Sequence, residues 1–121
     1  MGTARGRLRV RLSVRGSSQR IYERDGFRCV YCAGRFSPDE LTVDHVQPRM
    51  RGGDTSAGNL VTCCRGCNAS KGGQSAWVYL AARPEKRENF MRHAIHVWPR
   101  LRRAIEQAAR PVNNQPGQPK L

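Results

Sequence analysis

The sequence predicts a small α+β domain held together by bound metal rather than by a large core, with a β, loop, β, α centre and flanking helices. The first sign is how little there is to bury: 38% of the 121 residues are hydrophobic and 7% aromatic, which makes a thin core for one domain of this length. Cysteine usage is the second, because four of the five cysteines form two C-x-x-C pairs, Cys29/Cys32 and Cys64/Cys67, a spacing that favours a tetrahedral metal over a disulfide framework. Local patterning along the chain is the third.

Residues 7–15, RLRVRLSVR, alternate strictly between apolar and mostly basic side chains, which is a strand period where a sheet edge is available and a basic arm where none is. Either form presents Arg7, Arg9 and Arg11. Ser17 or Ser18 can cap a short helix through QRIYERD, closed by Gly26 in a left-handed conformation. FRCVYC reads as a strand entering a metal knuckle, LTVDHV as a strand stopped by Pro48, and NLVTC as a second short strand. GCNASKGG holds only a short helix before its glycines. A helix is expected from Ser75, and Pro84 suits the first turn of the next, where Phe90, Ala94, Val97 or Trp98, Leu101 and Ile105 recur at helical spacing. Pro99 predicts a kink or a break in that segment. The last eleven residues, PVNNQPGQPKL, have the composition of a disordered tail. The chain therefore divides into a basic arm or strand at 1–17, a core at 18–82, a helical segment at 83–110 and a tail at 111–121.

Charge locates a partner. The 22 Lys and Arg against 9 Asp and Glu give a formal +13, which calls for a polyanion. Residues 1–20 carry six basic and no acidic groups and residues 83–110 eight and three, against seven and six over residues 21–82, so the excess sits on the flanks. No stretch approaches the length of a membrane span and the N-terminus has no continuous apolar region of the kind a secretory signal needs. The expectation is a soluble, cytoplasmic protein in a reducing compartment.

Thiolates at Cys29, Cys32, Cys64 and Cys67 supply four soft ligands for a closed structural zinc site, and the loop that such a metal closes contains Asp44, His45 and Asn59. Only Cys64 stands in register with Cys67, so Cys63 is a bystander, facing the core or left as a partly exposed thiol. A lone histidine after a strand is usually a structural hydrogen-bonder. Asp44 beside it changes that reading, because neighbours in a strand point to opposite sides and can flank a substrate atom and a metal.

The stretch VDHVQPRMRGGDTSAGNLVTCCRGCNASKG resembles the HNH endonuclease family, with its Asp-His strand end, Asn-Leu after a Gly-Gly loop, and C-x-x-C-[NH]-x-x-K leading into a helix. YERDGFRCVYC looks like the zinc-binding subset of that family, and the likeness covers about residues 20–73. It implies a ββα-metal (His-Me finger) core stapled by a four-cysteine zinc site. By the same resemblance His45 is the general base that activates water, Asp44 a ligand of a catalytic divalent ion, and Asn59 the residue that pins the loop and the His45 imidazole. Asn68 stands where the family's name has its second histidine and is the other ligand, making an HNN variant. Its oxygen donors favour Mg²⁺ or Mn²⁺ over Zn²⁺ at that position. Lys71 can meet a phosphate or be a solvated helix residue.

These roles imply hydrolysis of phosphodiester bonds in DNA, by nicking or double-strand cleavage, with Arg49, Arg51 and the flanking arginines neutralising phosphates. Two rival readings are a catalytically silent zinc module that only binds nucleic acid and a nuclease that works inside a larger phage or mobile-element assembly. The intact Asp44, His45, Asn59 and Asn68 speak against the first, since binding alone needs none of them.

Overall fold

A computed structural model describes residues 18–110. The alternating arginine segment and the Pro-rich tail lie outside the described residues.

Helix α1 covers residues 18–24, so Ser18 lies inside it and its cap falls outside the described residues. It closes as expected at Gly26 (φ 69°): the Phe27 amide donates to Tyr22 O at 2.8 Å and the Gly26 amide to Glu23 O at 3.1 Å. The next segment differs from expectation. FRCVYC is a turn rather than a strand, with a single bridge between Arg28 and Arg35. Its amides are used elsewhere: Cys29 N donates to Gly34 O, Val30 N to Thr62 O, and the amides of Tyr31 and Cys32 face the Cys29 sulfur. No amide row is left for a ladder.

Strands β1 (Leu41–His45) and β2 (Leu60–Cys64) pair antiparallel with Leu41 opposite Cys64 and His45 opposite Leu60. Helix α2 (Arg65–Lys71) follows β2 directly, giving the expected β, loop, β, α order. Two strands alone are marginal in water. Here the outer side of β2 is covered by the end of α1, where Asp25 accepts the Thr62 amide at 3.0 Å and Arg24 donates to Leu60 O at 2.7 Å.

Helix α3 (Ala76–Ala81) starts after Ser75, and α4 (Pro84–His93) and α5 (Pro99–Ala109) each open on a proline, so Pro99 breaks the segment into two helices. Phe90, Ala94, Val97, Leu101 and Ile105 are all buried, in one continuous core with Val30, Tyr31, Val61 and Leu80. The helical segment thus covers the sheet and knuckles instead of forming a second core. Gly58 is essential to this docking: a Cβ there would lie 2.1 Å from Trp98 Nε1, and the Trp98 amide donates to Gly58 O at 3.0 Å. Among the described residues no helix is long and apolar enough to cross a membrane.

Candidate metal centre and adjoining cleft

The Sγ atoms of Cys29, Cys32, Cys64 and Cys67 lie within 4.8 Å of one another. Tetrahedral zinc with its usual Zn–S bonds sets sulfurs about 3.8 Å apart, and the Cys32 and Cys64 sulfurs stand at 3.9 Å. The donor set fits zinc. Backbone amides support it, Cys67 N donating to Cys64 Sγ at 3.4 Å and Tyr31 N to Cys29 Sγ at 3.4 Å, and the chain reverses after Cys32 through Ala33 in the left-handed region (φ 67°). Lys86 of α4 adds a cation 3.4 Å from Cys67 Sγ, a charge-assisted contact that sequence spacing did not signal.

Cys63 is fully buried and stands outside this group, as its register predicts. A hydrogen bond to Cys29 first, and burial second, push its thiol up, so it stays protonated; it also lies 3.3 Å from Cys64 O.

On the other side of the sheet end, Asp44, His45, Asn68, Lys71 and Arg49 line one open cleft, with Pro48 and the glycines after α2. Asp44 is buried and both its oxygens are engaged: Oδ2 accepts from the Tyr31 hydroxyl at 2.7 Å and Oδ1 from Lys71 Nζ at 3.1 Å. Burial pushes its carboxyl up, against the Lys71 ammonium and the Tyr31 hydroxyl, which pull it down. Strand alternation separates His45 from these partners. Its Nε2 is buried with no hydrogen-bond partner among the described residues, an orphaned polar atom in a residue that borders the cleft.

Asn59 is buried and holds the loop between the strands: Gln47 N donates to its Oδ1 at 2.8 Å, and its Nδ2 donates to Gln47 O at 3.0 Å and Asp54 O at 2.7 Å. No bond to the His45 imidazole is present among the described residues, and both Nδ2 hydrogens go to backbone carbonyls instead. Beside it Gly53 permits a close approach, since a Cβ there would fall 1.7 Å from Gln47 O.

Lys71 is also placed differently from expectation. It is 2% exposed and its Nζ is bound by Asp44 and by His45 O at 3.2 Å, so it is neither a solvated helix residue nor free for a phosphate. The physical reason is the buried Asp44 carboxylate, which needs a countercharge. Arg49 and Arg51 are exposed on the 3-10 turn Arg49–Arg51, while Arg7, Arg9 and Arg11 lie outside the described residues. Tyr31, Arg24, Asp25 and Asn89 contribute contacts that local patterns did not reveal.

The cleft wall carries two hard oxygen donors, the Asp44 carboxylate and the Asn68 amide, of the kind Mg²⁺ and Mn²⁺ take, beside the His45 imidazole.

Comparison with known proteins agrees with the fold. Residues 29–76 match the family model described as HNH endonuclease. A CRISPR-associated endonuclease Cas9 from Corynebacterium diphtheriae is 32% identical over 73 residues, which cover 54% of this chain and 7% of that protein. The crystal structure of the Type II-C Cas9 enzyme from Actinomyces naeslundii is similar in fold, with a TM-score of 0.53 and 21% identity over 78% of this chain and 11% of that one.

Proposed function

We propose, from the match of residues 29–76 to the HNH endonuclease family, that the protein hydrolyses phosphodiester bonds in DNA, with His45 as general base and a divalent ion held by Asp44 and Asn68. The observation that carries the reading is the shared cleft, which gathers Asp44, His45 and Asn68 from two elements and sets Arg49 at the rim. Asp44 and Asn68 would hold an ion of the Mg²⁺ or Mn²⁺ type, which would supply positive charge to the phosphodiester group. The His45 imidazole takes the proton from the attacking water, a task for which its nitrogen must be within reach of the cleft. Asn59 acts at one remove by fixing the loop that follows His45. Arg49 and Arg51 neutralise adjacent phosphates, and the basic 1–17 segment extends that grip beyond the 18–82 core and the 83–110 cover.

Zinc on the four cysteines is structural in this reading, since all four positions are filled by thiolates and none is left for substrate. The decisive experiment incubates the purified protein with supercoiled and linear DNA across Mg²⁺, Mn²⁺, Ni²⁺ and Zn²⁺, with and without EDTA. Metal-dependent products support the reading. An intact substrate under every ion, with tight DNA binding retained, would instead mark a binding module.

One observation favours a second, compatible reading: the chain spans 7% and 11% of the lengths of the two Cas9 proteins compared above. A nuclease module of this size can work as part of a larger protein assembly. Cleavage by the isolated chain at a rate unaffected by added partners would remove that reading.

A further inference from the structure

Tyr31 sits inside the first C-x-x-C pair, yet its hydroxyl reaches the other site. Its amide faces the Cys29 sulfur at 3.4 Å and its carbonyl accepts from Asn89 Nδ2 of α4 at 2.9 Å. The ring is fully buried, packed edge-on against Tyr79 (5.7 Å, 84°) and tilted against Phe90 (5.6 Å, 37°). Backbone, ring and carbonyl are therefore all fixed, and the hydroxyl at the end of this fixed lever donates to Asp44 Oδ2 at 2.7 Å. That length is typical of a strong, charge-assisted bond.

We propose that Tyr31 is a positioning residue that ties the zinc knuckle to the Asp44 carboxylate, holding Oδ2 so that Oδ1 is the oxygen offered to a cation. Oδ1 is paired with the Lys71 ammonium at 3.1 Å, a partner that an incoming ion would displace. A carboxylate on a strand would otherwise rotate about its last two torsions, and ordering it would count against ion binding. Tyr31 removes that freedom in advance. Its hydroxyl also offsets part of the desolvation that burial imposes on the carboxylate. The knuckle is in this way more than a staple: it supplies the backbone anchor of a group that orients the second metal's ligand. This inference rests on the reading of Asp44 as an ion ligand.

Tyr31→Phe deletes the hydroxyl and keeps the ring. In the full chain, zinc is measured by mass spectrometry and Mn²⁺ binding by electron paramagnetic resonance without DNA, alongside the Mn²⁺ dependence of cleavage; Asp44→Asn is the control. The expected result is unchanged zinc and Mn²⁺ binding weakened about tenfold, the scale of one hydrogen bond to a charged group. The half-saturating Mn²⁺ for cleavage should rise in parallel, while the rate at saturating Mn²⁺ changes much less. Unaltered Mn²⁺ affinity with a lowered melting temperature overturns the proposal, because the hydroxyl then serves the fold alone. So does loss of zinc in Tyr31→Phe, which makes it part of the knuckle only. Failure of the underlying reading looks different: Asp44→Asn would then bind Mn²⁺ as the parent does, and the proposal falls with it.

Discussion

The Lys71 ammonium lies 3.1 Å from Asp44 Oδ1 with both side chains buried, one from the end of α2 and the other from β1. Breaking such a pair from one side leaves an unpaired charge in the interior. Lys71→Met should destabilise the fold by about 3 kcal/mol, measured by denaturant unfolding. Mn²⁺ should recover part of the loss, since an ion that binds only the folded state stabilises it by mass action. A variant equally unstable with and without Mn²⁺ would argue that no ion approaches Asp44.

His45→Ala should lower cleavage by about a hundredfold or more while leaving zinc content and DNA affinity nearly unchanged. The fold should tolerate the change, because the imidazole Nε2 has no hydrogen-bond partner to lose among the described residues. Gel cleavage and filter binding on the same preparation check both halves.

The two adjacent cysteines of β2 should behave oppositely. Cys64→Ser removes a member of the four-sulfur cluster and should lose zinc and, with it, the fold, because binding and folding free energies are coupled in a domain with so small a core. Cys63→Ser should keep its zinc at a modest cost in stability from a hydroxyl in a fully buried site. Mass spectrometry under native conditions reads the difference directly.

Gly58→Ala should undock α5. A methyl group there meets the Trp98 indole at 2.1 Å, and overpacking of this kind costs about 1–3 kcal/mol. Trp98 fluorescence and the thermal midpoint should move together.

Salt dependence tests the basic surface. DNA affinity should fall with a log-log slope of about −0.9 per phosphate neutralised, and Arg49→Ala, Arg51→Ala or deletion of residues 1–16, which removes five arginines, should each make the slope shallower. An unchanged slope after the deletion would take the N-terminal arm off the DNA.

Much of the fold was legible because local chemistry determines it. β-Prone residues and Pro48 placed β1, Ser75, Pro84 and Pro99 marked the helix starts, and the C-x-x-C register separated Cys64 from Cys63. The misreading of FRCVYC as a strand has a local cause too, since its β-prone residues are spent on a turn whose amides face sulfur. What local patterns could not carry were contacts between distant segments. Asn89 meets Tyr31 across 58 positions, Arg24 meets Leu60 O across 36, and Lys71 is drawn inward by a carboxylate 27 positions away. None of these leaves a periodic trace. The cleft residues Asp44, His45 and Asn68 were found by resemblance to a motif, whereas Tyr31 was hidden among ordinary core aromatics.

The five-pair ladder between β1 and β2 is fastened at both ends, by Asn59 on the loop backbone near His45 and by the cysteine cluster beyond the Leu41–Cys64 pair. A slip of one residue would turn every side chain of a strand to the opposite face, exchanging the sides on which Asp44 and His45 stand. With both ends fastened, neither strand can slide without tearing a bond network, so a sheet too short to choose its own alignment has only one available. The distance between the two fasteners then works as a ruler: inserting a single residue within Leu41–His45 should do more harm than a longer insertion at Thr55, on the exposed outer part of the loop.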